Sequence, residues 1–82
     1  MNETDVYEKV IKVISPFAKN AEALAAVSAD TSILDDLQVN SARLVDIVLE
    51  FEDEFDIEVE DEAADNIVTV GDAVKLIVEK TG

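Results

Sequence analysis

The chain has 82 residues, 20 of them acidic and six basic, and its formal net charge at pH 7 is −14. A chain of this length makes one domain, residues 1–82, and its small core leaves little room for a deep catalytic cleft. It has no cysteine and no histidine, which excludes disulfides, a thiolate nucleophile and a zinc knuckle and removes the commonest general base.

Charge and hydropathy also set expectations about partners and location. A strongly acidic chain repels nucleic acid and anionic membrane surfaces and attracts basic protein surfaces. Residues 1–5 carry no basic segment ahead of an apolar run, so no signal peptide is predicted. No segment reaches the roughly 18 apolar residues that a membrane span requires. We therefore expect a cytoplasmic monomer that neither binds nucleic acid nor inserts into membranes.

The first predicted helix is amphipathic and ends near Pro16. Val6, Val10, Ile14 and Phe17 follow one another at helical spacing, and proline disfavours helical geometry at the residue before it. Residues 17–39 form a long connection. Its alanine-rich part, residues 21–27, is compatible with one or two helical turns, and Ile33, Leu34 and Leu37 are expected to pack inward from a short turn.

The strongest periodicity lies between Ser41 and Phe55. One face of this predicted helix is apolar, with Leu44, Ile47, Val48, Phe51 and Phe55, widened by Val45 and Leu49. The other face carries a continuous acidic stripe, formed by Asp46, Glu50, Asp53 and Glu54. By itself such a stripe fits a solvated face as well as it fits a docking surface.

The C-terminal part predicts two more helices. Asp56–Glu60 alternates acidic and apolar residues but has no partner strand, so we expect an extended connector anchored by Ile57 and Val59. A short helix over residues 61–66 follows. Thr69 and Asp72 have capping-box spacing before a last helix, residues 70–80, that buries Val70, Ala73, Val74 and Ile77. The predicted fold is all-α: a four-helix bundle with a long loop between helices 1 and 2 and a short third helix.

Ser41 opens the acidic helix, and two interpretations compete for it. Serine is a frequent N-cap residue. Alternatively, a phosphodiester attached there would lie on free N–H groups at the positive end of the helix. Local physics alone favours the cap.

The residues around Ser41 resemble the acyl carrier protein family. Leu34-Asp35-Asp36-Leu37 precedes the serine, the run from Leu44 to Phe55 closes on Glu-x-x-Phe, and Thr69-Val70 matches the start of the family's last helix. The resemblance covers residues 31–77 and implies an acyl-carrier-like four-helix bundle.

The resemblance also implies the function. A phosphopantetheinyl transferase would attach 4'-phosphopantetheine from coenzyme A to Ser41. The thiol of the arm would carry acyl intermediates of fatty-acid, lipid or polyketide biosynthesis as thioesters. The chain would be a carrier rather than an enzyme, with no catalytic residues and no metal site of its own. Partner enzymes with basic patches would dock on Arg43, Asp46, Glu50, Asp53 and Glu54.

Four residues depart from the family pattern. Asn40 replaces the usual Asp, Ala42 replaces a Leu, and Arg43 stands where many members have an acid. Gln38, in place of a common Gly, is a smaller departure. A Leu lost from a partner pocket would cost up to ~2 kcal/mol at ~0.8 kcal/mol per carbon. These departures suggest a specialised, non-housekeeping carrier.

The alternative functions explain fewer features of the sequence than an acyl carrier does. A peptidyl or aminoacyl carrier domain is the close alternative. An acidic interaction domain without a prosthetic group explains the charge but gives no role to a helix-opening serine after Leu37. A calcium-binding EF-hand fails because no acidic loop has Gly at its sixth position and Glu at its twelfth.

Overall fold

The computed structural model describes residues 2–81 and confirms the all-α architecture. The helices are α1 (Glu3–Ile14), α2 (Ala21–Ala25), α3 (Leu44–Phe55), α4 (Asp61–Asp65) and α5 (Val70–Thr81). Single 3-10 turns lie at Ser15–Phe17 and Ser41–Arg43. The long connection between α1 and α3 is confirmed, with the short α2 inside it, and α4 is the predicted short helix.

The first helix shows how local sequence sets its two ends. The Asn2 side chain accepts a hydrogen bond of 2.8 Å from the Asp5 N–H and caps the helix. The predicted stripe is buried at Val6, Val10 and Ile14. The helix ends at Ile14, and Pro16 continues the chain in a 3-10 turn.

The core lies where α1, α3 and α5 meet. Within residues 2–81 the buried side chains are all apolar. Phe51 is the largest side chain that is almost wholly buried, and its ring lies 6.4 Å from that of Phe55. The predicted burial of Val70, Ala73, Val74 and Ile77 on α5 is confirmed.

The predicted apolar stripe of α3 is too wide at two positions. Ile47, Val48, Phe51 and Phe55 are buried, but Val45 is 66% exposed and Leu49 is 56% exposed. These two residues of the apolar stripe therefore lie on the surface and not in the core. The five residues of α4 lie beside this flank of α3 and are too few to cover it.

The connector between α3 and α4 differs from the predicted extended segment at its first residue, because Asp56 is left-handed (φ 53°) and ends α3. Residues 57–60 have no regular secondary structure, and Ile57 and Val59 are half-buried against the core, as predicted. Glu52 accepts two hydrogen bonds from the backbone of this connector. Its carbonyl accepts a hydrogen bond of 3.1 Å from the Ile57 N–H, and its carboxylate accepts one of 2.9 Å from the Val59 N–H.

The capping box at the start of α5 is confirmed. The Thr69 hydroxyl accepts from the Asp72 N–H at 3.1 Å, and the Asp72 carboxylate accepts from the N–H groups of Thr69 at 3.0 Å and Val68 at 3.1 Å. The backbone donors of Thr69 and then Val68 hold the pKa of the Asp72 carboxyl below its ordinary value of 3.8.

Candidate functional site

Backbone pairing with the start of α5 positions the loop before Ser41. The Ile33 N–H donates to the Val68 carbonyl and the Val70 N–H donates to the Thr31 carbonyl, both at 3.0 Å, which makes an isolated antiparallel bridge between Ser32 and Thr69. The sequence analysis did not predict this bridge. It seats Ile33 in the core, where the side chain is fully buried.

A second set of hydrogen bonds fastens the same loop to the segment after α1. The Leu37 carbonyl accepts from the N–H groups of Lys19 at 3.0 Å and Asn20 at 3.2 Å. The Asn20 side-chain amide also donates to the Asp36 carbonyl at 3.1 Å. Leu37 is fully buried and Val39 is almost fully buried. The segment before Ser41 is therefore fixed both by these hydrogen bonds and by its packing in the core.

Gln38 adopts a left-handed backbone conformation, with φ at 56°. A residue other than glycine pays roughly 1–2 kcal/mol for this conformation. The sequence analysis treated the replacement of Gly by Gln as a minor departure. The structure gives it more weight, because this left-handed residue lies between buried Leu37 and buried Val39.

The capping residue at this helix mouth is Asn40 and not Ser41, and it caps the 3-10 turn Ser41–Arg43 that leads into α3. The Asn40 side chain accepts a hydrogen bond of 2.9 Å from the Ala42 N–H, and its carbonyl accepts one of 2.8 Å from the Arg43 N–H. Ser41 is the first residue of the 3-10 turn that follows, and α3 itself begins at Leu44, three residues later than predicted. The structure thus removes the competing assignment of Ser41 as the cap.

The Ser41 side chain is exposed at this helix mouth. Among residues 2–81 no group makes a hydrogen bond of standard geometry to its hydroxyl. The neighbouring Asn40 is neutral and Arg43 is cationic, so both sides of the serine tolerate a negative charge. The site therefore fits a phosphodiester-linked group, which needs an accessible hydroxyl.

The predicted docking residues lie along the exposed side of α3 but differ in their partners. Arg43 and Asp46 form an ion pair of 3.1 Å with each other. Glu54 lies 3.9 Å from Lys9 of α1. Glu50 and Asp53 are exposed, and no ion pair joins either of them to a basic residue within residues 2–81. The i,i+3 spacing of Arg43 and Asp46 could have indicated their pairing from sequence.

Two apolar residues complete this surface. Val45 and Leu49 lie one helical turn apart beside the acidic stripe and line a shallow depression of about 120 Å³ with Val59 and Ala64. Their exposure is not readable from the sequence, because apolar residues next to a buried stripe are ordinarily counted with it.

Within residues 2–81 no cluster of three or more acidic side chains is arranged to hold a metal ion. Across the same range, none of the helices has both the length and the apolar character to span a bilayer.

Comparison with known proteins identifies the family. The family model described as the phosphopantetheine attachment site matches residues 8–77. The chain is 45% identical over 82 residues to an acyl carrier protein of Caulobacter vibrioides, covering 95% of this chain and 97% of that one. This chain belongs to the acyl carrier protein family.

Further comparisons agree with this assignment. An acyl carrier protein of Sinorhizobium fredii is 47% identical over 75 residues, covering 90% of this chain and 92% of the relative. The solved structure of the acyl carrier protein from Enterococcus faecalis superposes with a TM-score of 0.80 at 40% identity, covering 98% of this chain and 99% of that chain.

Membership of the acyl carrier protein family establishes the general role. The chain is a carrier and not an enzyme, and its prosthetic group is 4'-phosphopantetheine. Its partners are a phosphopantetheinyl transferase and enzymes that handle acyl groups.

Proposed function

We propose that Ser41 is the residue that bears the phosphopantetheine arm. The chain has four serines, and local structure separates them. Ser15 lies at the C-terminal end of α1, where the negative helix end opposes a phosphodiester. Ser32 is half-buried and its hydroxyl accepts a hydrogen bond from the Asp35 N–H at 3.2 Å. Ser28 contacts the Thr31 hydroxyl at 3.4 Å in a turn.

Ser41 has the electrostatic setting that the other serines lack. It is exposed and precedes the 12-residue helix α3. An anion near a helix N-terminus is stabilised by about 0.3–1 kcal/mol at an exposed site. The arm supplies a thiol that holds the acyl group as a thioester, which explains how a chain without cysteine serves as a carrier.

The transfer step requires little of this chain beyond presenting the hydroxyl. A serine hydroxyl is a weak nucleophile until a base takes its proton. Because Asn40 and Arg43 flank the hydroxyl and neither is a base at neutral pH, the transferase must supply the base. The chain's contribution is the rigid placement of Ser41 by the two tethered segments before it.

A mass measurement on two serine variants tests this assignment. The apo protein is incubated with coenzyme A, Mg²⁺ and a broad-specificity phosphopantetheinyl transferase, and its intact mass is measured. We expect the mass of one phosphopantetheine to be added to the wild type and to Ser15→Ala, and no gain for Ser41→Ala. A gain that survives in Ser41→Ala would refute the assignment.

We further propose that Glu50 and Asp53 lead the docking of partner enzymes, with Val45 and Leu49 as apolar contacts beside them. The ion pairs of Asp46 with Arg43 and of Glu54 with Lys9 must rearrange before either acid meets a partner, whereas Glu50 and Asp53 need no such step. Exposed acids speed encounter with basic surfaces, and apolar contacts slow dissociation.

We also propose that the carrier is a monomer, because its high net charge opposes self-association. It is proposed to work in the cytoplasm as a single domain.

Transferase kinetics separate the two contributions. Neutralising both acids, Glu50→Gln with Asp53→Asn, should lower kcat/KM roughly two- to tenfold at low salt, and the difference should shrink as salt is raised. Leu49→Ala should lower kcat/KM with little dependence on salt. The exposed Asp30→Asn, on the loop before the bridge, is the control. Equal effects of the control and the double variant would contradict this docking surface.

The replacements around Ser41 support the proposal of a specialised carrier. Asn40 keeps the capping hydrogen bond that an Asp would make but removes a negative charge beside the attachment point. Ala42 is exposed and offers partners less apolar surface than a Leu. Loading and elongation by the organism's housekeeping fatty-acid synthase, as efficient as on its standard carrier, would contradict this proposal.

A further inference from the structure

A groove lies between α1 and α3, on the flank of the acidic helix opposite to Val45 and Leu49. Its volume is about 380 Å³, and its lining residues are Lys12, Val13, Pro16, Phe17, Glu50 and Glu54. It shares no residue with the depression between α3 and α4. The acidic stripe therefore has apolar residues on both flanks, and the proposed docking surface includes only those on the α4 side.

The wall of the groove on the α1 side is apolar and fixed by local structure. Val13 and Phe17 are half-buried and pack against the core from outside. Pro16 lies between them in the 3-10 turn that follows α1, and its ring fixes the backbone there. The Ala18 N–H donates a hydrogen bond of 3.1 Å to the Ile14 carbonyl and closes the turn. The groove is therefore formed before any partner arrives.

The wall on the α3 side is acidic and loosely paired. Glu50 and Glu54 are exposed and lie one helical turn apart, so their carboxylates are neighbours on one flank. Across residues 2–81 no ion pair joins Glu50 to a basic residue. Glu54 lies 3.9 Å from Lys9, and the two side chains are 44% and 40% exposed, so this contact is weak. Both carboxylates are available to an incoming cation.

An arginine side chain of a partner protein matches both walls. A guanidinium has five N–H donors in a planar fork and can bond to Glu50 and Glu54 together, whereas an ammonium acts as a point charge. The apolar stem of an arginine lies readily on apolar surface, and its guanidinium is attracted to an aromatic ring such as that of Phe17. Lys12 opposes a further cation, but two glutamates against one lysine leave the lining residues with a net charge of −1.

We propose that this groove receives an arginine side chain of a partner enzyme, with the guanidinium on Glu50 and Glu54 and the stem against Pro16 and Phe17. The proposal rests on docking along α3 and extends the docking surface to α1. It adds selectivity, because any basic patch can meet the outward-lying Asp53, whereas only a partner that projects an arginine towards α1 fills the groove.

An NMR titration of the isotope-labelled protein tests the groove, with Nα-acetyl-arginine amide as the probe and Nα-acetyl-lysine amide as its matched comparison. We expect saturable shifts of the Phe17 and Glu50 amide signals. The arginine probe should bind roughly two- to fivefold more tightly than the lysine probe, the range that a contact with an exposed ring allows. Phe17→Leu keeps an apolar wall without the ring and should reduce this preference.

Charge variants with matched controls locate the binding site. Glu50→Gln should weaken binding of the arginine probe roughly two- to fivefold, as expected for one exposed charge contact. Lys12→Gln should strengthen binding, because it removes a competing cation. The controls are Glu62→Gln on α4 and Lys80→Gln near the end of α5. They change the net charge by the same amounts at exposed positions outside the groove and should leave the affinity unchanged.

Three results would overturn the inference. One is a set of shifts spread evenly over all the acidic residues, and another is an equal effect of Glu50→Gln and Glu62→Gln, since the probe would then respond to net charge alone. The third is a preference for arginine that is unchanged in Phe17→Leu. If the groove fails while neutralising Glu50 and Asp53 together still lowers kcat/KM of the transferase, docking along α3 stands and only this inference falls.

Discussion

Gly71→Ala provides a sharp test of how the loop before Ser41 is held. Gly71 lies in the first turn of α5, and a Cβ added there would be 2.8 Å from the Ala29 carbonyl oxygen and 3.2 Å from the Ala29 Cβ. The Gly71 N–H already donates a hydrogen bond of 2.8 Å to that same oxygen. The loop therefore cannot move away from the new methyl group without weakening this bond and straining the neighbouring bridge between Ser32 and Thr69.

The expected magnitude follows from two opposing effects. Helix propensity alone favours Ala over Gly by up to about 1 kcal/mol. Forcing a methyl group into a contact with rigid backbone costs about 1–3 kcal/mol. We expect the packing effect to win and the free energy of unfolding to fall by about 1–2 kcal/mol, which for a domain of this size lowers Tm by about 4–15 °C.

Urea unfolding followed by far-UV circular dichroism measures this change. The double variant Ala29→Gly/Gly71→Ala removes only the contact with the Ala29 Cβ and leaves the carbonyl contact, so it should recover a minor part of the loss. A Gly71→Ala protein that is as stable as the wild type, or more stable, would show that propensity decides and that the close approach at Ala29 does not fasten the loop.

Three further predictions concern stability. Gln38→Gly should raise the free energy of unfolding by about 0.5–1 kcal/mol in urea titrations, because it relieves a left-handed backbone; a loss of stability would contradict this. Asp72→Asn should lower stability by about 0.5–1 kcal/mol at neutral pH. Because the pKa of Asp72 is lower in the folded state, its contribution to stability is complete above the ordinary value of 3.8 and is lost as the pH falls through the lower folded value. The unfolding free energies of wild type and Asp72→Asn, measured in parallel, should therefore converge in acid. A difference in unfolding free energy that stays constant with pH would refute this dependence. Millimolar Mg²⁺ or Ca²⁺ should raise Tm by screening the acids between Glu58 and Asp65, and an unchanged or lower Tm would contradict that.

Helical periodicity predicted the elements of this fold well, because each long helix buries one stripe. Val6, Val10 and Ile14 on α1 and Ala73, Val74 and Ile77 on α5 lie in the core as their spacing requires. The capping box of Thr69 and Asp72 was also readable, since it depends only on residue type and a separation of three.

The features of the fold that could not be predicted from the sequence are those that depend on tertiary contacts. Periodicity does not say how wide a face the neighbouring helices cover, so it could not tell that Val45 and Leu49 of the apolar stripe stay exposed. The left-handed backbone of Gln38 and the bridge at Ser32 arise from long-range pairing and leave no local pattern.

The same limit applied within the site. Asn40 and Ser41 are adjacent and both are good N-cap residues, so the sequence could not choose between them. The structure resolves the choice in favour of Asn40, and this frees the Ser41 hydroxyl for modification.

The most direct test of the central claim is peptide mapping of the protein purified from its own cells. Trypsin cleavage after Lys19 and Arg43 releases the peptide 20–43, which contains three of the four serines, and fragmentation of that peptide locates any modification. We expect 4'-phosphopantetheine on Ser41, in part carrying an acyl thioester. An unmodified peptide, or the group on Ser28 or Ser32, would contradict it.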